Sequence, residues 1–136
     1  MVDFRRVTGS LSVSPQVTEA DIARAAAEGF VLVINNRPDG EDPSQPTSAM
    51  IEAAARAAGL DYVHIPVRGG PGPDQVEAVA RAVQGAKGPV LAFCRSGTRS
   101  IVTWSIGQAL SGATDRETLV SQGAAAGYDL SGVLPG

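Results

Sequence analysis

Short apolar runs alternate with amphipathic stretches along this chain. Five runs read as strands: Phe4–Val7, Leu11–Val13, Phe30–Asn35, Tyr62–Val67 and Val90–Phe93. The last three are almost continuous in apolar residues, the pattern of strands buried on both faces of a parallel sheet. Helical periodicity fills the intervals. Thr18, with Asp21 three residues on, carries a capping-box signature, and Gly29 suits the end of the helix they open. A second helix is expected from about Ser48 to Ala58, stopped by Gly59. Pro73 suits the first turn of a third, running to about Gln84. Ile101 to about Leu110 reads as a fourth. Thr114 with Glu117 opens a fifth that ends near Gly127, and Leu130–Gly136 reads as an irregular tail. The alternation predicts an α/β fold with a mostly parallel central sheet flanked by helices.

Two segments break the rhythm, and both follow strands. Asn36-Arg-Pro-Asp-Gly-Glu-Asp-Pro43 comes after the third strand, and Arg68-Gly-Gly-Pro-Gly-Pro73 after the fourth. Between the fifth strand and the helix that begins at Ile101 lies Cys94-Arg-Ser-Gly-Thr-Arg-Ser100. Ligands of open α/β sheets gather at the carboxyl ends of strands. The three loops are therefore expected to share one rim.

Composition narrows the chemistry. The 136 residues suit one domain, 1–136, with a single core. A formal charge of −3 argues against general nucleic-acid binding, which needs a cationic surface. No apolar run approaches the ~20 residues that span a bilayer, so no membrane association is expected. The opening Met1-Val-Asp-Phe-Arg-Arg6 lacks the apolar core of a secretory signal. There is one cysteine and one histidine, Cys94 and His64. They exclude an internal disulfide, a dithiol redox cycle and a Zn site made of Cys and His alone. The expectation is a cytoplasmic protein that uses no metal or organic cofactor.

Cys94 sits where a strand gives way to a helix. There backbone N–H groups converge and the helix dipole is positive, so the turn favours anions and the thiolate form of the cysteine. A free thiol with pKa ~8.5 is only a few per cent thiolate at neutral pH, and a downward shift of about three units would make it mostly thiolate. Cys94 is the expected nucleophile. Arg99 offers a planar fork of donors to two oxygens of an anion. Ser100 is expected to hydrogen-bond the sulfur and stabilise it as a leaving group. Gly97 keeps a Cβ out of the cradle, while Ser96 and Thr98 keep the loop polar and compact. Arg95 faces either the anion or the solvent. The competing role for Cys94 is that of a small buried apolar residue. The glycine and the two arginines that follow it argue for the reactive site.

Other residues are candidates of the second rank. Asp39, Glu41 and Asp42 lie on a rim loop from which a general acid could come. Asp74 could reach back as an acid, although its position inside a helix start is more typical of a capping or dipole partner. Arg37 either helps bind the anion or pairs with its acidic loop, and Arg68 extends the cationic lining. His64 reads as a hydrogen-bonded core histidine, and Trp104 as core.

Four segments in order, Leu11-Ser-Val-Ser-Pro-Gln16, Gly29-Phe-Val-Leu-Val-Ile-Asn-Asn-Arg-Pro-Asp-Gly-Glu41, Tyr62-Val-His-Ile-Pro-Val67 and Val90-Leu-Ala-Phe-Cys-Arg-Ser-Gly-Thr-Arg-Ser100, carry a family resemblance. The chain resembles the bacterial beta-lactamase hydrolase-like protein, phosphatase-like domain family, whose members are also labelled sulfur transferases. The resemblance implies the fold of dual-specificity protein tyrosine phosphatases. It also implies Cys94 as nucleophile, residues 94–99 as the anion cradle and Arg99 as oxyanion binder.

Two departures from the usual phosphatase pattern stand out. Such phosphatases place five residues between cysteine and arginine, whereas four separate Cys94 from Arg99. Cys-Arg-x-Gly-x-Arg is the form of rhodanese sulfurtransferases, but the other rhodanese segments, Asp-x-Arg and Gly-His-Ile-Pro-Gly-Ala, are missing. The phosphatases also place an Asp shortly after the strand ending Ile-Pro-Val. Here Arg68-Gly-Gly-Pro71 follows, with no carboxylate before Asp74. General acid catalysis contributes about 10²–10⁴-fold, or roughly 3–5 kcal/mol. The expected function is a cysteine-dependent phosphatase acting through a cysteinyl-phosphate. Persulfide transfer on the same cysteine and a non-catalytic anion- or phosphoprotein-binding module are the alternatives. The expected partners are phosphate- or sulfur-containing small molecules, or a phosphoprotein.

Overall fold

A computed structural model describes residues 1–135. The elements run β1 (Arg5–Arg6), β2 (Leu11–Ser14), α1 (Glu19–Ala27), β3 (Leu32–Asn35), α2 (Ser48–Ala57), β4 (Asp61–His64), α3 (Pro73–Gly85), β5 (Val90–Phe93), α4 (Thr98–Ser111) and α5 (Arg116–Ala126). The five strands order as β1-β2-β5-β3-β4, all parallel except β1, which pairs antiparallel with β2. This is the α/β architecture that the alternation predicts.

The period-2 alternation of the strands sorts their side chains onto two cores. Leu11 and Val13, Leu32 and Ile34, and Val90 and Ala92 face one layer, where they meet Val79 of α3, Ile101 and Trp104 of α4, and Leu119 of α5. Val33, Leu91 and Phe93 face the other, against Ile22 and Ala25 of α1 and Ile51 and Ala55 of α2. β5 is buried throughout because it lies in the middle of the sheet with helices on both sides. Its carboxyl end therefore presents Cys94 on a rigid mount.

Several boundaries differ from expectation, each for a local reason. The first strand shrinks to two residues, since Phe4 turns away to pack edge-on against Phe30, with ring centroids 5.6 Å apart. β4 is not buried on both faces: as the edge strand it leaves Asp61 exposed and Val63 and His64 half-buried. Its ladder ends at His64, although Ile65 and Val67 still donate to the carbonyls of Asn35 and Asn36. Helix α4 begins at Thr98, three residues early. Helix α5 is capped by Asp115, which accepts the Thr118 N–H at 2.8 Å, while the Thr114 hydroxyl turns to Gln108. Of the expected tail, Leu130 is buried beneath α5, and Gly136 lies outside the described residues. No helix among the described residues is long and apolar enough to cross a membrane.

Candidate active site

The turn from β5 into α4 is tight because Gly97 occupies the N-cap position in the left-handed region, φ +90°. A side chain there would be strained, and a Cβ would collide with the Tyr128 Oη. Cys94 ends up at the bottom of the turn, 1% exposed. The Gly97 N–H donates to its Sγ at 3.1 Å. Ser100 does not make the sulfur bond expected of it. Its hydroxyl is buried and without a hydrogen-bond partner among the described residues.

The loop carbonyls are drawn away from the cradle. The Gln16 N–H takes the Arg95 carbonyl at 3.3 Å, and the Tyr128 hydroxyl takes that of Ser96 at 2.8 Å. In a regular helix those two carbonyls would accept the N–H groups of Arg99 and Ser100. Instead, the N–H groups of Arg95, Ser96, Arg99 and Ser100 have no partner among the described residues. The start of α4 thus gathers free donors above the sulfur, in the field of its own dipole. The Arg95, Ser96 and Thr98 side chains are exposed, with the Ser96 hydroxyl donating to Thr98 Oγ1 at 3.0 Å.

Arg99 joins all three rim loops. Its Nη1 donates to Glu41 Oε2 and to the Val67 carbonyl, both at 2.8 Å, and its Nη2 donates to Glu41 Oε1 at 2.8 Å. A guanidinium carries five N–H groups. Glu41 grips its end, and the Val67 carbonyl takes one more donor. The Nε–H and the second Nη2 hydrogen, which form one side edge of the fork, are taken by neither Glu41 nor the Val67 carbonyl, and Cys94 lies near enough to act on the guanidinium. Glu41's hydrogen bonds push the Arg99 pKa up, burial opposes this, and the charge of a Cys94 thiolate adds to the push.

Arg37 is the outer brace of this arrangement. Its side chain is only 7% exposed; Nε donates to Glu41 Oε1 at 3.0 Å and Nη1 to Gln16 Oε1 at 3.1 Å. It pairs with its own acidic loop, one of the two roles open to it. The Arg99 hydrogen bonds, helped by Arg37 and resisted by partial desolvation, pull the Glu41 pKa down to about 2. Glu41 is therefore a carboxylate at neutral pH with both oxygens engaged, and it holds no proton to donate. The Asp42 pKa is also lowered, chiefly by Ser44. Asp39 is committed elsewhere, accepting the Ser48 N–H at the start of α2 at 2.7 Å. Asp74 is exposed in the first turn of α3, and Arg68 is exposed one residue past the Val67 carbonyl that Arg99 holds.

His64 accepts its expected place as a hydrogen-bonded residue, its Nε2 lying 2.8 Å from the Arg37 carbonyl, but on the sheet edge rather than in the core. Among the described residues no group of three or more His, Cys, Asp or Glu side chains is placed to hold a metal ion. Two roles carried no signal in the sequence. Glu41, raised there as a possible acid, instead grips Arg99. Tyr128, 32 residues beyond Ser96, gave no signal.

Comparisons with known proteins identify the family and the fold. The chain is 41% identical over 129 residues to a beta-lactamase hydrolase-like protein of Agrobacterium fabrum, covering 92% of this chain and 29% of that one. A Xylella fastidiosa protein of the same description is 36% identical over 121 residues, at 88% and 28% coverage. The chain thus spans less than a third of the length of these relatives. A crystal structure from Neisseria meningitidis, provisionally assigned as a phosphatase, superposes with a TM-score of 0.85 at 34% identity, covering 95% of this chain and 92% of that one. At the level of fold alone, TpbA of P. aeruginosa, solved in complex with phosphotyrosine, gives a TM-score of 0.65 at 18% identity, with 90% and 74% coverage. The fold is that of the protein tyrosine phosphatases. Residues 3–111 match the family described as beta-lactamase hydrolase-like protein, phosphatase-like domain, and the chain belongs to that family.

Proposed function

We propose that the chain acts as a cysteine-dependent phosphatase on a phosphate monoester with a good leaving group. The observation that carries this reading is the state of Arg99. Its end is fixed by Glu41 and its free side edge stands beside Cys94, the geometry that receives two oxygens of a tetrahedral anion. Cys94 Sγ attacks phosphorus, forming an S–P bond as the bond to the leaving oxygen breaks. Arg99 and the loop N–H groups, with Arg95, Ser96, Gly97 and Thr98 forming the cradle, stabilise the equatorial oxygens. Water then attacks phosphorus, the S–P bond breaks and the thiolate returns. The unpaired Ser100 hydroxyl is available to that departing sulfur. Arg68 extends the positive lining at the rim. Of the three aspartates raised as acids, Asp39 accepts at the start of α2, Asp42 is held by Ser44 and Asp74 lies exposed in the first turn of α3, so the leaving oxygen takes its proton from water. Phosphotyrosine in the P. aeruginosa complex supports an aryl ester as the substrate class. A single free thiol suits a reducing compartment such as the cytoplasm.

A second reading is favoured by the four-residue spacing from Cys94 to Arg99 and by the lack of carboxylates on the loop after β4. In it, Cys94 attacks the outer sulfur of thiosulfate, sulfite leaves, and the persulfide sulfur passes to an acceptor such as cyanide or a thiol. One experiment separates the two. The protein and a Cys94→Ser variant are given an aryl phosphate, then thiosulfate with cyanide. Cysteine-dependent phosphate release without thiocyanate supports the phosphatase. Thiocyanate without phosphate release overturns it in favour of sulfur transfer. If the protein binds phosphate tightly but shows neither activity, it is a binding module.

A further inference from the structure

Tyr128 lies outside the residues that match the family, in the segment after α5, yet it touches the cysteine loop. Its hydroxyl donates to the Ser96 carbonyl at 2.8 Å. The N–H of that same peptide, contributed by Gly97, donates to Cys94 Sγ at 3.1 Å. A trans peptide is planar, and its C=O and N–H point in opposite directions. Among the described residues no peptide bond is cis. Fixing the carbonyl outward therefore fixes the N–H inward, towards the sulfur.

We propose that Tyr128 is a positioning residue for the Cys94 thiolate, acting through the Ser96–Gly97 peptide. A donor on the carbonyl also polarises the peptide and strengthens its N–H as a donor. The phenol is well held for this task. Tyr128 is 9% exposed, and the Arg5 guanidinium lies 5.2 Å from its ring centroid. Its own N–H is tied to the Gly123 carbonyl at 2.8 Å, beyond the left-handed cap at Gly127. Gly97 completes the fit, because any Cβ there would collide with the Oη. Burial raises the Tyr128 pKa, so the hydroxyl keeps its proton and remains a donor across the neutral range.

The inference rests on Cys94 being an activated nucleophile, but not on which group it transfers. The test is Tyr128→Phe, which removes one oxygen and leaves the packing. Cys94 is titrated by thiolate absorbance and by the pH dependence of iodoacetamide alkylation, with the unfolding temperature as control. The expected result is a rise in the Cys94 pKa of about half to one unit, roughly 3- to 10-fold in thiolate fraction below the pKa. The Gly97 amide resonance, followed by NMR, should also move less between the thiol and thiolate forms than it does in the unmodified protein. An unchanged Cys94 pKa in a folded variant overturns the role of Tyr128 alone. An ordinary thiol pKa in the unmodified protein overturns the activated nucleophile instead.

Discussion

The cysteine loop and the loop after β4 both combine arginine with glycine, but they are built differently. In the first, the loop is held at several points: the Arg95 and Ser96 carbonyls from behind, the Gly97 N–H on sulfur, and Arg99 at its end by Glu41. In the second, Arg68, Gly69 and Gly70 are exposed and make no hydrogen bond among the described residues, and the loop is tied only at its ends, at Val67 and Gly72. The difference separates two parts of catalysis. Electrostatic stabilisation needs donors fixed before the reaction, whereas proton donation needs a carboxyl near the leaving atom. On the proposed reading, the cysteine loop supplies the first.

The largest expected effect comes from replacing the fork. Arg99→Lys keeps the charge but loses both the end grip of Glu41 and the free side edge. The kcat/KM for an aryl phosphate should fall by about 10²–10³-fold, the cost of removing a preorganised oxyanion donor. A loss of less than tenfold would show that Arg99 does not carry the developing charge.

Next is a matched pair of glycine substitutions, one in each loop. Gly97→Ala forces a β-carbon onto the Tyr128 hydroxyl at a left-handed φ, and should cost about 1–3 kcal/mol in denaturant unfolding, along with most of the activity. Gly70→Ala meets nothing within 4 Å and has no positive φ, so it should stay within about 0.5 kcal/mol of the parent. Equal effects at the two sites would erase the contrast between the loops.

Glu41→Gln gives a smaller change with a pH signature. The neutral amide holds Arg99 less firmly and leaves the buried Arg37 without its counter-charge. The kcat/KM should drop by about tenfold, near the 1.5–3 kcal/mol range of a charged hydrogen bond. Glu41 has a depressed folded-state pKa, about 2 against 4.5. Its contribution to stability is therefore complete above about pH 4.5 and is lost as the pH falls towards 2. Asp42, Asp115 and Asp129 shift in the same direction, so the measurement is the difference between parent and variant. That difference should shrink as acid is added. A constant difference would mean that the charge of Glu41 is not what steadies the arginines.

What could be read in the sequence follows from the range of each interaction. Periodicity is local, so the strands, the helices and the strand-to-helix turn holding Cys94 were legible. The start of α4 was misplaced because Thr98, Arg99 and Ser100 are polar, as first-turn residues with unsatisfied N–H groups often are, and therefore resemble loop. The convergence of three loops followed from topology, but the contacts that organise it did not. Glu41 meets Arg99 across 58 residues and Tyr128 meets Ser96 across 32, and no periodic pattern encodes either pairing. Edge position was also invisible: β4 has the apolar run of an interior strand, and only the sheet order leaves one side uncovered.

The smallest expected effect is a gain, and it tests the contrast directly. Gly70 has open space around its Cβ direction and an ordinary φ, so Gly70→Asp should place a carboxyl on the loop after β4 without strain. A well-placed general acid contributes about 10²–10⁴-fold, but an exposed loop tied only at its ends should recover only about 3- to 10-fold of that. The gain should appear with alkyl phosphates, whose leaving oxygen needs a proton. It should be absent with aryl phosphates that leave as stable anions. The variant should also acquire a loss of rate at high pH as the new acid ionises. Equal gains on both substrates would show that the added carboxylate acts on binding or on the loop itself. The rate of the parent protein would then not be limited by protonation of the leaving group.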